Sequence, residues 1–211
     1  FRMGCKFSLC SFEDFKTHKH RRFLWSKTLA SAKTEKQIMH THQEKWVKKI
    51  ALGTAQFGLD YGISNARGKI EPSEVEVILD YAFDSGIDTL DTATSYGASE
   101  SIIGDVLRQK HYDFNIISKF PAELRSEEFS RILNNSLEKL SLKTIRAYLA
   151  HSAEAFKDKS LRQCLSAAKD DGFIQQIGVS VYYPEDIVWL IEEDVDIDII
   201  QLPFNVFDQR F

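Results

Sequence analysis

Gly86-Ile87-Asp88-Thr89-Leu90-Asp91-Thr92-Ala93-Thr94-Ser95-Tyr96-Gly97 begins with a glycine able to end a helix and then sets Ile87 and Leu90 among small and polar neighbours. That pattern predicts a short strand running out at Asp91, followed by a Ser/Gly-bounded loop. Tyr96 lies in the loop, where its phenol can lean over the strand end. A carboxylate and a phenol therefore share one mouth. Taken alone the pair is unremarkable, because a solvated Asp and a packed Tyr are ordinary outcomes.

The next two strand ends give it weight. Phe114-Asn115-Ile116-Ile117-Ser118 leads into Lys119, and Ile145-Arg146-Ala147-Tyr148-Leu149-Ala150 leads into His151. Parallel neighbours lie about 4.8 Å apart, so Asp, Lys and His delivered by successive strands can converge within roughly 10 to 15 Å on one face of a sheet.

Upstream, residues 47–52 read as a first strand, and Gly53-Thr54-Ala55-Gln56-Phe57-Gly58 turns off its end, followed by a long loop over residues 59–70. Glycines there let backbone approach a ligand closely. A helix with a Ser73/Glu76 capping box follows, its Val75, Ile78, Leu79 and Ala82 on one face. Ser99 can cap a second helix with Ile102, Ile103, Val106 and Leu107 inward, and Ser126 a third with Phe129, Ile132, Leu133, Leu137 and Leu140. A fourth covers about residues 161–171, with Cys164 as a small packing residue. Ile174 opens a fifth strand ending near Ser180, and Pro184 a fifth helix with Ile187, Leu190 and Ile191 on a face. A sixth strand over residues 197–202 carries Gln201. Strand then helix five times, plus a sixth strand, is the rhythm of a parallel α/β fold.

The chain has 211 residues, 43% hydrophobic and 27% charged, enough for one sizeable core. The net charge of -4 divides unevenly: residues 1–46 carry ten Lys/Arg against four Asp/Glu, residues 47–211 seventeen against twenty-seven. The acidic body disfavours a nucleic-acid surface. No apolar run approaches the roughly 20 residues of a membrane span, and no secretory leader is evident. Cys5, Cys10 and Cys164 make no disulfide framework, so a reducing, cytoplasmic setting is expected. Residues 1–46 read as a basic segment, disordered or outside the native fold, with Met39 a candidate start. Cys5, Cys10, His18 and His20 could be written as a zinc set, but their spacing fits no recurrent finger pattern, and His40 and His42 read as solvated. No metal is expected.

With these residues laid out, residues 47–211 resemble the aldo-keto reductase family. The likeness rests on Asp91-Thr92-Ala93 with Tyr96, Gly97 and Glu100, then Ser118-Lys119, His151, Gly178-Val179-Ser180, and Gln201 with Asn205, all in family order. The stretch Ala51 through Gly58 looks like the bacterial branch associated with sugar or surface-polysaccharide metabolism. The resemblance implies a (β/α)8 TIM-type barrel, here truncated after about six strands. It further implies that Tyr96 protonates a carbonyl oxygen as hydride arrives, that Lys119 lies beside it as a cation paired with Asp91, and that His151 orients the substrate. Ser180 and Gln201 would partner the nicotinamide carboxamide, with Gly53 and Thr54 contacting the cofactor from below. NADP(H) is favoured over NAD(H), and the partner is a small-molecule carbonyl substrate.

Side-chain chemistry agrees with that trio. A phenol with a pKa of about 10 holds its proton at neutral pH, an ammonium would lower that value, and a carboxylate keeps a buried ammonium charged. Two departures stand out. Val181 replaces the asparagine usual after the strand-five serine, and the strands expected to carry most of the cofactor anchor would lie beyond Phe211. This chain alone is therefore expected to bind nicotinamide cofactor poorly and to be inactive, with both outer strand edges unpaired. A cofactor-sensing or interaction subunit on the same barrel is the alternative. A metal-dependent isomerase barrel would need a convergent His/Asp/Glu set that this mouth lacks.

Overall fold

Helical stripes facing a sheet dictate the architecture of the computed structural model, which describes residues 46–63 and 65–211 in full and residues 7–11 by their backbone. The strands are β1 (Phe7–Ser11), β2 (Ala51–Gly53), β3 (Thr89–Asp91), β4 (Asn115–Phe120), β5 (Ile145–Ala150), β6 (Ile174–Ser180) and β7 (Ile199–Pro203). They form one sheet in the order β1-β7-β6-β5-β4-β3-β2. From β2 to β7 every neighbour is parallel, with Gly53 opposite Asp91, Asp91 opposite Ile117, Lys119 opposite Leu149, and Ser180 opposite Gln201. The six parallel strands curl into a half-barrel with helices between them, six strands' worth of a (β/α)8 barrel.

The connecting helices are a short α1 (Ala55–Gly58), α2 (Pro72–Asp84), α3 (Ser99–Lys110), α4 (Ser126–Leu140), α5 (Lys159–Asp170) and α6 (Pro184–Glu192), with a 3-10 turn at Ala153–Lys157. Their stripes are buried as the periodicity requires. Val75, Leu79 and Ala82 of α2, Ile103, Val106 and Leu107 of α3, Phe129, Leu133, Leu137 and Leu140 of α4, and Leu161, Leu165 and Ala168 of α5 all join one core between sheet and helices. On the inner side of the sheet a smaller apolar set, Ile117, Ala147 and Leu149 against Ile199, lines the barrel interior. Ile191 of α6 departs from the expected stripe and is 49% exposed.

Three further differences have local causes. Residues 46–49 form a helical turn, with Lys49 N–H bonded to the Trp46 carbonyl, so the first barrel strand begins only at Ala51. The Ser73 capping box does not form, because Pro72 takes the first helical position and leaves Glu71 at the cap. The edge of β7, expected to be open, is paired antiparallel with Phe7–Ser11. Of the suggested zinc set, Cys5, His18 and His20 lie outside the described residues, as do Met39, His40 and His42, and Cys10 is described by backbone alone. Among the described residues no group of three or more His, Cys, Asp or Glu is placed to hold a metal, and no helix is long and apolar enough to cross a membrane.

Candidate active site

Parallel strands point their C-terminal ends the same way, so Asp91, Lys119 and His151 come to one face. Lys119, 1% exposed, turns its ammonium onto Asp91, with Nζ 2.7 Å from Oδ1 and 2.9 Å from the Thr92 carbonyl oxygen. The separation is far shorter than strand spacing alone promised, because the two side chains reach toward each other across β3 and β4. Two of the three ammonium donors are thereby used among the described residues.

Tyr96 closes over this pair. Its ring centroid lies 5.2 Å from Lys119 Nζ and 6.2 Å from the His151 ring, which meets it edge-on at 75°. The loop is seated by Thr94, whose N–H and hydroxyl both donate to the Lys119 carbonyl at 2.9 Å. It is also seated by two glycines packed backbone to backbone. A methyl on Gly58 would collide with the Tyr96 carbonyl, and Gly97 sits at φ 56° with its missing Cβ aimed at the Gly58 carbonyl. His151 is fixed through its N–H to the Phe120 carbonyl, and its Nδ1 lies 3.4 Å from Ser95 Oγ.

Burial governs the titration of all three groups. Desolvation lowers the Lys119 pKa from the ordinary lysine value, and Asp91 opposes that shift. Desolvation, with the Lys119 charge adding to it, holds His151 below the usual histidine value. Desolvation and then the Asp91 charge push the Tyr96 phenol well above the ordinary tyrosine value. The expectation of a lowered phenol pKa is therefore not met in this geometry. Burial outweighs the ammonium, which faces the ring and is already engaged by Asp91.

The expected cofactor contacts lie on the same face. Gln201, 1% exposed, donates from Nε2 to Asp91 Oδ1 at 3.2 Å, while its Oε1 is buried and has no partner among the described residues. Ser180, equally buried, stands beside it in register. An orphaned amide acceptor next to a buried hydroxyl fits a carboxamide, which brings N–H donors of its own. The Cβ direction of Gly53 is open, with no atom within 4 Å, and Thr54 hydrogen-bonds the Asp91 carbonyl through both N–H and Oγ1 at 2.9 Å. Val181, 0% exposed, offers no polar atom where an asparagine was expected. Of these five positions Gln201, Ser180 and Gly53 offer a nicotinamide ring an acceptor, a hydroxyl and open space, Thr54 is buried and engaged by the Asp91 carbonyl, and Val181 brings no polar atom.

Sequence reasoning named Thr54, Thr92, Ser99, Glu100 and Ser118 but not the buried hydrogen bonds that join them behind this mouth. Ser99 bonds Thr54 and Thr92, and Glu100 accepts from Ser118 Oγ at 2.7 Å. The signal for that network is the density of Ser and Thr around Asp91, with Glu100 following at the start of a helix.

Known proteins resemble this chain. D-arabinose 1-dehydrogenase of Saccharomyces cerevisiae is 29% identical over 146 residues, covering 62% of this chain and 44% of that protein. The glycerol dehydrogenase structure from Gluconobacter oxydans is 28% identical with a TM-score of 0.59, covering 75% of this chain and 52% of the other. An aldo-keto reductase from Klebsiella pneumoniae in complex with NADPH shares the fold at 21% identity and a TM-score of 0.54, covering 67% and 48%. The chain spans about half the length of these relatives. The model of the aldo/keto reductase family matches residues 49–211, the same residues that build the half-barrel and its mouth, and the chain belongs to that family.

Proposed function

We propose that the full-length protein is an NAD(P)H-dependent oxidoreductase that reduces an aldehyde or ketone to an alcohol, with a small sugar-like carbonyl compound as substrate, NADPH preferred over NADH, and the cytoplasm as its location. Residues 47–211 supply the catalytic mouth. The observation that carries this reading is the buried Lys119–Asp91 pair at 2.7 Å beneath the Tyr96 ring, with His151 edge-on beside it.

A bound nicotinamide cofactor supplies the hydride. With it bound, Gln201 Oε1 and Ser180 would hold its carboxamide, and the turn at Gly53 and Thr54 would contact the cofactor. His151, neutral at pH 7 because burial opposes its protonation, hydrogen-bonds the substrate oxygen and holds the carbonyl beside the phenol. Tyr96 keeps its proton until charge develops on that oxygen. An alkoxide is far more basic than a phenolate, so transfer from Tyr96 runs downhill even with a raised phenol pKa. Lys119 stands against the Tyr96 ring, where its charge would stabilise the phenolate this leaves, and Asp91 opposes the loss of that charge by burial.

The test is NADPH consumption by the full-length protein against a panel of aldehydes and keto sugars, beside Tyr96→Phe. The variant should lose turnover by roughly two to four orders of magnitude, the range of general acid catalysis, while retaining cofactor affinity. Equal turnover by the variant contradicts the assignment.

A further inference from the structure

The first two residues of α3 are polar and fully buried: Ser99 is 0% exposed and Glu100 is 1% exposed. Their bonds run to three different strand ends. Ser99 Oγ lies 3.1 Å from the Thr54 carbonyl oxygen, 3.0 Å from Thr54 Oγ1 and 3.0 Å from Thr92 Oγ1. The Thr54 hydroxyl proton is directed to the Asp91 carbonyl, so Ser99 donates to Thr54 and accepts from Thr92. Glu100 Oε1 accepts from Ser118 Oγ at 2.7 Å, and Oε2 is buried without a partner among the described residues. A half-satisfied buried carboxyl is costly, which marks Glu100 as a group that needs a reason to be there.

Each bond ends one step from the Lys119–Asp91 pair. Thr54 holds the Asp91 carbonyl through N–H and hydroxyl, Thr92 lends its carbonyl to Lys119 Nζ, and Ser118 immediately precedes Lys119. Side chains alternate across a strand, so Ser118 reaches out to the helix layer while Lys119 reaches in to the mouth. Ser99 and Glu100 thus tie β2, β3 and β4 to one rigid helix start, from the side of the sheet opposite the reacting groups.

We infer that Ser99 and Glu100 are positioning residues which set the Lys119–Asp91 pair under Tyr96, an inference that rests on the reductase reading for its consequence in turnover but not for its geometry. Neither residue is assigned contact with substrate or cofactor. Their effect is on where the ammonium stands.

Two readouts in the full-length protein separate the claims. Acylation of Lys119 by an N-hydroxysuccinimide ester, followed by peptide mass spectrometry with Lys169 as internal reference, reports how firmly the ammonium is held. Ser99→Ala and Glu100→Ala should each raise Lys119 labelling several-fold over the reference and lower kcat by roughly 10- to 100-fold, the loss that a displacement of about 1 Å brings, with KM and NADPH affinity nearly unchanged. Glu100→Gln, which keeps an oxygen for Ser118, should restore both readouts. Unchanged Lys119 labelling with wild-type kcat in the alanine variants overturns the inference, as does a parallel loss of kcat, cofactor affinity and melting temperature that Glu100→Gln fails to rescue. If Glu100→Ala does not fold, Ser99→Ala, which removes a single hydroxyl, decides alone. If the wild type reduces no carbonyl compound, the reductase reading falls, and the labelling still decides the clamp.

Discussion

An ammonium that is 1% exposed is costly unless paired, and the site is shaped by how Lys119 meets that cost. Asp91 neutralises it at 2.7 Å, and the Thr92 carbonyl takes a second donor. The adjacent imidazole responds to the same burial. His151 has a pKa below the ordinary value of about 6.5, so in the window beneath that value the unfolded chain binds more protons than the folded one. Stability must then fall as the pH drops through the window. Urea midpoints of the full-length protein measured from about pH 7 to about pH 5 should decline, and His151→Gln should flatten that limb. Parallel curves would show that His151 does not titrate as a buried neutral group. That Asp91, Lys119 and His151 converge was legible in the sequence because each lies at or next to a strand end, and parallel strands share one face. The direction of the Tyr96 shift was not, since it depends on whether the ammonium meets the hydroxyl or the ring and on how deeply the phenol is buried.

At the scale of elements, the apolar stripes located all five principal helices, α2 to α6, and the packing faces of α2 to α5; in α6, Ile187 and Leu190 are buried and Ile191 is not. Helix starts were read less well. Ser73, Ser99 and Ser126 all looked like caps, yet the caps are Glu71, Ala98 and Arg125, and none of these makes a side-chain cap bond. Pro72 explains the first, since its fixed φ sets the first turn two residues early. The second follows from a competing partner, because the Ser99 hydroxyl is drawn to Thr54 and away from its own helix. Asp158 is the cap that does form, accepting from the Ser160 N–H at 2.8 Å at the start of α5. Asp158→Ala should lower stability by about 1 kcal/mol, read from chemical denaturation with an unchanged m-value. A loss within about 0.3 kcal/mol of zero would mean that solvent serves this helix end as well as the carboxylate does. The strand over residues 47–52 was misread because β-branched and aromatic residues at 46, 47 and 50 resemble a strand, whereas Trp46 and Ile50 stand 64% and 50% exposed and no neighbour pairs the backbone there.

For the whole molecule, the decisive fact is that six parallel strands present a mouth whose polar groups are already organised, in a chain that spans about half the length of its relatives. Six strands' worth of repeating strand and helix was legible from periodicity; the antiparallel Phe7–Ser11 strand was not, because a five-residue run in a mixed basic segment carries no period. The residues proposed to meet the cofactor, Gly53, Thr54, Ser180 and Gln201, would all touch its nicotinamide end. We therefore predict that these 211 residues by themselves bind NADPH more weakly than about 100 μM, an affinity of roughly 5.5 kcal/mol or less; calorimetric titration giving micromolar affinity would contradict this. We propose Tyr96 as the proton donor, served by the buried Lys119–Asp91 pair. The most direct measurement is single-turnover stopped-flow of the full-length protein preloaded with NADPH and mixed with a reactive aldehyde. Wild type should oxidise the bound cofactor in one fast phase, and Tyr96→Phe and Lys119→Met should both bind it and slow that phase by about 100-fold or more. A fast phase of wild-type rate in either variant would show that the proton comes from elsewhere.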